Sequence, residues 1–262
     1  MVSNSAPKEV GGPVHAEAPL ILAVDTTSAR RSVALARGRR LLGVIGVDAG
    51  PTHSWNLHDE IALLLDKCGS RVSEIDVLGV AIGPGSFTGL RVGLAAMKGF
   101  AHTLARPVVG VSSLEAWARR AGVSGRICAC IDAQRGELYA QVFDVDVAGA
   151  VLPVTGPRLI PPHEVCRWLS DQSTLFFAGD GVGPSRAQWE AWGREQGREI
   201  HFVTIPPTHP RGWIAIEAME FLAPAVVWLA EREFREGRAQ TAATLDALYV
   251  RASDAEMKRR PG

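Results

Sequence analysis

The sequence lacks any run of 18 apolar residues, and it lacks an excess of basic residues, since its formal net charge is zero. Each of these two absences argues against a class of protein. Without an apolar run of that length, no membrane-spanning helix is expected. Lys plus Arg and Asp plus Glu both number 28, so a protein that holds nucleic acid mainly by bulk electrostatics is not expected either. Any contact with nucleic acid should be local or delegated to a partner.

The first 19 residues contain no apolar stretch of the kind found in signal peptides. They are rich in Pro, Gly, Ser and Ala, and we expect a disordered leader over 1–19. A chain of 262 residues with four cysteines and no secretory leader is typical of a reduced, cytoplasmic protein.

The motifs that would carry metal or catalytic chemistry are also missing. Cys128 and Cys130 lie in an apolar run without a second ligand pair, so they are expected to be small core residues rather than zinc ligands. His53 and His58 are five residues apart, whereas two ligands on one helix face need a spacing of three or four. No Ser-His-Asp spacing, nucleophile elbow or paired-carboxylate motif is present. The sequence therefore predicts no metal site and no catalytic residue.

The order of apolar runs predicts an α/β protein with two lobes. Short strands over 20–24, 32–36, 41–47 and 77–82 alternate with helices over 52–68 and 86–105, and the lobe boundary is expected between Gly122 and Gly125. The predicted units are a first lobe over 20–122, a second lobe over 123–252 and a charged tail over 253–262. The apolar segment Trp213 to Phe234 is predicted to form one helix or two.

Two helices of the first lobe have faces that could meet a partner. In the first helix, Ser54 is the expected N-cap, and an apolar stripe follows. The second helix begins after Ser86 and is apolar almost all round, which predicts burial almost all round. One stripe holds its large residues, and a second stripe holds Gly89, Gly93, Ala96 and Phe100. This second stripe could admit another helix closely, or it could be used entirely within the first lobe.

Three loops could form a nucleotide-binding site, and each also has a simpler structural explanation. Asp25, Thr26 and Thr27 could hold phosphate, or could form a turn with satisfied hydroxyls. The glycines from Gly83 to Gly93 match neither the dinucleotide fingerprint nor a Walker A motif, and tight packing is the favoured explanation. Asp180 and Gly181 could approach a flat ligand, or could form a strand-to-helix turn.

Five arginines lie on the predicted hairpin of the first lobe. Such clusters are most often solvated faces, and RNA contact is the alternative. The arginines stand at positions 30, 31, 37, 39 and 40.

Taken together, these segments resemble the bacterial TsaB (YeaZ) family. The resemblance runs from about residue 20 to residue 251 and is most specific between Gly83 and Leu94. It is carried by Leu22–Thr27, His53-Ser54, Ile82–Ala95, Lys98-Gly99, Gly110–Ala116, Ile131–Ala133, Gly179–Gly181 and Tyr249–Arg251.

The resemblance implies the two-lobed, ribonuclease H-like fold of actin, Hsp70 and sugar kinases. It also implies a non-catalytic dimerisation subunit that supports a TsaD-like transferase, with a TsaE-like ATPase, in forming N6-threonylcarbamoyladenosine at position 37 of tRNA. ATP or ADP and metal are then expected on the partner, tRNA is reached through the complex, and a self-dimer is possible.

In the family the partner contact uses the first-lobe helices, so the resemblance places the interface on those helices here. The implied interface residues are Ser54, Leu57, Ile61, Leu64, Ser86, Gly89, Arg91, Gly93, Ala96, Lys98 and Phe100. The competing hypothesis is a metal- or nucleotide-dependent enzyme of the same fold, a phosphotransferase or a glycoprotease-like hydrolase. Its cleft candidates by position are Asp25, Asp132 and Asp180.

Overall fold

The structure is a computed structural model that describes residues 18–48, 56–207, 210–217 and 221–250. The charged tail over 253–262, most of the predicted leader, His53 and Ser54 lie outside the described residues. None of the helices in these ranges is both long and apolar enough to cross a membrane.

The helices and strands alternate as an α/β chain. The strands are β1 Leu20–Asp25, β2 Arg30–Arg37, β3 Arg40–Asp48, β4 Val77–Gly83, β5 Val108–Ser112, β6 Gly125–Asp132, β7 Leu138–Val145, β8 Val151–Pro153, β9 Arg158–Ile160, β10 Leu175–Ala178, β11 Ile200–Val203 and β12 Trp213–Ile216. The helices are α1 Leu57–Lys67, α2 Phe87–Leu104, α3 Ser113–Arg120, α4 Pro162–Trp168, α5 Val182–Gln196 and α6 Ala223–Arg235.

Two sheets of the same topology form the two lobes. The first sheet has the order β3-β2-β1-β4-β5, in which β1 is antiparallel to β2 and parallel to β4. The second sheet repeats this order as β8-β7-β6-β10-β12, with β11 added beyond β12 and β9 paired to β7. The predicted two-lobed α/β architecture is confirmed.

The central strands of the first sheet, β1 and β4, are buried on both faces because they are apolar at almost every position, whereas the edge strand β3 is only partly buried. Leu20 and Leu22 face a core that they share with α1 and α2, whereas Ile21 and Ala23 face the opposite core. This second core contains α3 and α6 and continues into one face of the second sheet, where it includes Ile127. The two lobes are therefore joined by a continuous apolar core.

The chain returns to the first lobe after the second sheet is complete. Helix α6 packs on β1, β2, β4 and β5, and the chain beyond it runs alongside β5, where Gln240 and Val108 exchange backbone hydrogen bonds of 2.7 and 2.9 Å. The predicted second lobe, 123–252, was therefore too long at its C-terminal end. Sequence order alone assigned this segment to the nearer lobe.

The apolar segment Trp213 to Phe234 was predicted to form one helix or two, and this is wrong at its start. Residues Trp213–Ile216 form strand β12, which is fully buried between β10 and β11. The helix begins only at Ala223, with Pro224 in its first turn, where its missing N–H costs no helical hydrogen bond.

The apolar stripe of α1 faces inward rather than toward a partner. Leu57, Ile61 and Leu64 are at most 3% exposed and belong to the core beneath the helix. The helix starts at Leu57 with Asn56 as its N-cap, whose side chain accepts a hydrogen bond from the backbone N–H of His58. The prediction of Ser54 as the N-cap is thus wrong. Leu57, Ile61 and Leu64 could contact a partner only if α1 left the core, so their predicted place in the interface is wrong as well.

The glycines of α2 are used inside the first lobe. A methyl group at Gly89 would lie 1.8 Å from the carbonyl oxygen of Thr26, and one at Gly93 would lie 2.5 Å from the Thr26 hydroxyl. The hydroxyl of Thr26 donates a 2.6 Å hydrogen bond to the carbonyl of Gly89. Gly89 and Gly93 were expected in the partner interface, and this is wrong because they allow α2 to approach the loop after β1.

We predict opposite effects for alanine at two glycines of α2. Gly89→Ala should lower the free energy of unfolding by about 2–3 kcal/mol, because the new methyl would clash with backbone that cannot move aside cheaply. Gly99→Ala, where nothing lies within 4 Å, should raise it by about 0.5–1 kcal/mol through helix propensity. Urea unfolding of both variants measures this, and equal effects would contradict the proposed packing.

Candidate functional site

A cleft of about 800 Å³ opens between the two lobes at the carboxyl ends of β1, β4, β6 and β10. Because parallel strands of such sheets end at one edge, the loops that follow them face each other across this cleft. Its lining comes from four loops and from the C-terminal segment, with Thr27, Ser86, Asp132, Asp180 and Tyr249 as representatives. The cleft therefore brings together most loops for which a nucleotide interpretation was open.

The turn after β1 satisfies its own polar groups. One carboxylate oxygen of Asp25 accepts hydrogen bonds from the backbone N–H of Thr27 at 2.9 Å and from the Thr27 hydroxyl at 2.7 Å. The Thr26 hydroxyl donates its hydrogen bond to the carbonyl of Gly89 in α2. The hydroxyls of Thr26 and Thr27 and the backbone N–H of Thr27 are the donors that a phosphate group would need in this turn, and all three are already used. The residues present thus fit a satisfied structural turn better than a phosphate cradle.

The second carboxylate oxygen of Asp25 is buried and has no hydrogen-bond partner. Burial raises the pKa of Asp25 to about 6, although the two hydrogen bonds from Thr27 act in the opposite direction. A carboxyl group with a pKa near neutrality can bind a proton in place of a missing partner, so Asp25 is partly protonated at mildly acidic pH.

Asp180 lies across the cleft from Asp25 in the loop after β10. Its carboxylate accepts a 3.1 Å hydrogen bond from the backbone N–H of Asp132. Burial raises the pKa of Asp180 to about 7, and the negative charges of Asp25 and Asp132 add to this effect. Asp132 and Asp180 thus line the cleft with carboxyl groups, beside the cationic side chain of Arg135.

Gly181 has a packing role next to this carboxylate. A methyl group there would lie 2.6 Å from the Leu138 side chain and 3.1 Å from the backbone nitrogen of Asp132. The plainer of the two interpretations, a tight strand-to-helix turn, therefore accounts for the glycine.

The turn between β6 and β7 has an unusual backbone that sequence reasoning missed. Gln134 and Arg135 adopt φ angles of 60° and 59°, a left-handed conformation rare for residues with a side chain. The Asp132 carboxylate stabilises this turn by accepting hydrogen bonds from both the backbone and the side-chain amide of Gln134. Gln134 and Arg135 line the cleft as a result.

The C-terminal segment borders the cleft, and sequence reasoning missed this as well. The backbone N–H of Leu248 donates a 2.8 Å hydrogen bond to the carbonyl of Ile82, and the ring of Tyr249 lies 5.9 Å from that of Phe87. The guanidinium group of Arg91 lies 3.8 Å from the centre of the Phe87 ring. The match of Tyr249 to the family pattern was a signal that this segment belongs near the Gly83 loop.

In the ranges that the structure describes, no three His, Cys, Asp or Glu side chains come together as possible metal ligands. Cys128 and Cys130 lie on one face of β6 with their sulfur atoms 3.6 Å apart, and both are fully buried. They are core residues, as predicted. His58 is exposed, and its ring contacts that of Phe100 at 5.8 Å between centroids.

The second candidate surface is the exposed side of α1 and α2, which we call the α1–α2 face. It combines small residues with two large apolar side chains, Leu63 and Val92, which are each 46% exposed. Nothing lies within 4 Å of where a methyl group on Gly99 would point. The face comprises His58, Ala62, Leu63, Thr88, Val92, Ala95 and Gly99.

The predicted interface residues divide between this face and the core. Ser86 and Arg91 are exposed, and Ala96, Lys98 and Phe100 are half-buried along the edge of the face. The exposed stripe of α2 thus lies about a quarter-turn or more away from the glycine stripe on which the prediction was based. On a helical wheel of α2, Thr88, Val92, Ala95 and Gly99 fall on one side, and this grouping could have identified the exposed stripe from the sequence.

Two sheets of the repeated order, joined around a cleft at their carboxyl ends, define the two-lobed class of actin, Hsp70 and sugar kinases. Residues 32–173 match the family model described as "TsaD: tRNA N6-adenosine threonylcarbamoyltransferase". The chain is 36% identical over 247 residues to the tRNA threonylcarbamoyladenosine biosynthesis protein TsaB of Haemophilus influenzae, covering 92% of this chain and 97% of that protein.

A second relative and a solved structure agree with these matches. The TsaB protein of Escherichia coli K12 is 27% identical over 250 residues, which cover 92% of this chain and 98% of that protein. The structure of YeaZ from Pseudomonas aeruginosa superposes with a TM-score of 0.69 at 28% identity and covers 88% of this chain and 100% of that chain. The chain belongs to the TsaB (YeaZ) family.

The two raised carboxyl pKa values predict a stability that falls as pH rises. Between about pH 4 and pH 7 the folded protein binds more protons than the unfolded chain, so this share of stability is complete below about pH 4 and is lost as pH rises through the folded pKa values of about 6 and about 7. Asp25→Asn removes one such group and should raise the free energy of unfolding at pH 7.5 by about 1–2 kcal/mol, with little change at pH 4.5.

Thermal or urea unfolding of the wild type and Asp25→Asn at both pH values measures this difference. The exposed residue Asp171 provides the control, because Asp171→Asn should leave the difference between the two pH values unchanged. A variant at Asp25 with the same pH dependence as the wild type would contradict the assignment.

Proposed function

We propose that this protein is a non-catalytic subunit that binds a TsaD-type transferase and supports it in forming N6-threonylcarbamoyladenosine at position 37 of tRNA. Membership of the TsaB family supports the pathway, because the relatives that match most of the chain carry the name of this tRNA modification. A TsaE-type ATPase is the second proposed partner, and ATP and metal are proposed to bind those partners.

The observation that carries the proposal is the contrast between the cleft and the α1–α2 face. In the cleft, the Thr26 and Thr27 donors are used internally, and carboxylates face the opening. On the α1–α2 face, Val92 and Leu63 remain exposed, although most apolar side chains of both helices are buried. Exposed apolar side chains beside small residues fit a docking surface for another helix.

The occupant that we propose for the α1–α2 face is the first lobe of the transferase. The family model described for that transferase matches residues 32–173 of this chain, which include both helices of the face. Two related lobes can pair through equivalent helices about a pseudo-two-fold axis, as identical subunits pair about a true one. A self-dimer through the same face is the alternative occupant, and it would compete with the transferase.

The competing candidate is an enzyme that acts in the cleft. It is favoured by the raised pKa values of Asp25 and Asp180, because such shifts often mark functional sites. The exposed apolar side chains of the α1–α2 face favour the subunit instead, because docking explains them and an activity in the cleft does not. The two candidates differ in whether the purified chain has an activity of its own.

We predict that a tRNA modification assay will lose all product when either this protein or the transferase is omitted. The chain alone should form no N6-threonylcarbamoyladenosine, because the proposal assigns the transfer reaction to the transferase. Mass spectrometry of nucleosides from digested tRNA measures the product. Modification by the isolated chain at the rate of the full set of components would contradict the proposal.

A charge at the centre of the α1–α2 face should break the complex without unfolding the protein. Val92→Glu should weaken binding to the transferase about 100-fold or more, which corresponds to about 3 kcal/mol, because a carboxylate would lose its hydration in the interface. Val147→Glu is the matched control, since Val147 is 96% exposed and lies outside this face. Titration calorimetry measures both affinities, and equal affinities would place the transferase elsewhere.

A further inference from the structure

The hairpin between β2 and β3 carries arginines at the end of the first lobe that faces away from the cleft. In the pairing of β1 with β2, Asp25 lies opposite Ser32 at the cleft end, whereas Leu20 lies opposite Arg37 at the far end. Arg37, Arg39 and Arg40 at this far end are all exposed. The hairpin thus places three guanidinium groups on the surface opposite the cleft.

Helix α3 brings a further arginine to the same place. Arg39 donates a 3.4 Å hydrogen bond to the carbonyl of Ala148, and the guanidinium group of Arg119 lies against the backbone of the next residue, Gly149. Arg119 also covers the ring of Trp228 at 4.7 Å. Burial and the nearby charge of Arg39 both lower the pKa of Arg119. Two like charges are therefore held on either side of the 146–149 turn.

Within the described part of the chain, no carboxylate forms an ion pair with Arg37, Arg39, Arg40 or Arg119. The charge of Asp146 raises the pKa of Arg119, and the Asp146 carboxylate accepts hydrogen bonds from the backbone N–H groups of Ala148 and Ala150 in its own turn.

Other arginines of the protein are paired in the usual way. Arg186, Arg232 and Arg238 each bind two carboxylates. Because the chain as a whole has no net charge, the arginines without an ion pair leave this surface with an excess of positive charge, although Arg37 lies near enough to Glu74 to help lower the pKa of that carboxyl group.

We propose that this surface, which we call the arginine face and define by Arg37, Arg39, Arg40 and Arg119, binds the phosphate backbone of tRNA. The inference rests on the proposed function, which makes tRNA the polyanion that this protein would meet. Guanidinium groups suit phosphate because their planar N–H donors can bind two oxygens at once. The arginine face lies opposite the cleft, so it positions the tRNA and does not take part in chemistry.

RNA is favoured over an acidic peptide by the layout of the arginine face. Its charges come from a hairpin of the first lobe and from α3, and they border the turn after β7 of the second lobe, so they follow a path across the protein rather than line one groove. A phosphate backbone presents charges at regular intervals along such a path. Capture of an acidic peptide is the alternative outcome of the test.

The test compares two triple variants of equal charge within the complex of this protein and its transferase. The first is Arg39→Gln/Arg40→Gln/Arg119→Gln on the arginine face. The control is Arg167→Gln/Arg186→Gln/Arg194→Gln, three exposed arginines of α4 and α5 in the second lobe. Fluorescence anisotropy with labelled tRNA, over a series of salt concentrations, gives the affinity and its salt dependence for each complex.

Each lost phosphate contact should reduce the slope of log affinity against log salt by about 0.7–0.9. We expect a loss of about two units of slope and at least about tenfold in affinity at low salt for the arginine-face variant, and a change within about twofold for the control. A single variant, Arg40→Gln, repeats the comparison if the triple variant is less stable in thermal unfolding.

The inference would be overturned if the arginine-face variant kept the salt slope of the wild type. Binding of polyglutamate, a model acidic peptide, is measured in the same way, and a variant that lost polyglutamate binding but kept tRNA binding would also overturn the inference. The wild-type complex is assayed for tRNA modification in the same preparation. Modification by the wild type together with an unchanged slope would refute only the arginine face. Absence of modification by the wild type would refute the proposed function instead.

Discussion

The close approach of α2 to the loop after β1 is the constraint on which both candidate surfaces depend. Gly89 and Gly93 allow the backbone of α2 to touch Thr26, and the Thr26 hydroxyl and the carbonyl of Thr27 are then bonded to α2 and to the backbone N–H of Ser86. The same contact orients α2, so that the side with Val92 and Gly99, about a quarter-turn from the glycines, faces outward. The contact between α2 and Thr26 thus has two effects. It occupies the polar groups of a potential phosphate-binding loop, and it leaves the proposed docking face exposed.

Periodicity and turn residues were sufficient to predict most of the fold. The strands of the first lobe, the N-cap at Ser86 and the buried pair Cys128 and Cys130 follow from local patterns, and the structure confirms them. The strand at Trp213 was missed because a short, fully buried strand has no alternation that distinguishes it from a helix. The return of the chain to the first lobe at Gln240 is a long-range contact, and local patterns carry no information about it.

The candidate site was predicted less well than the fold, and the reason is geometric. A helical wheel identifies stripes, but it does not tell which stripe meets the rest of the same lobe. Gly93 was predicted to lie in the partner interface, but it faces Thr26 within the first lobe. Val92, one residue earlier, is exposed instead. Likewise, Asp25 and Asp180 are 155 positions apart in the chain, and only the assembled lobes bury Asp180 and bring the charge of Asp25 near it, both of which raise the pKa of Asp180.

The central claim is that the small and apolar side of α1 and α2 is the surface on which the transferase docks. A cryo-electron microscopy structure of the complex between this protein and a TsaD-type transferase tests it most directly. The account predicts that Ala95 and Gly99 lie in contact with a helix of the transferase, with Asp180 remote from the interface. A transferase bound to the second lobe, with Val92 still open to solvent, would contradict the account.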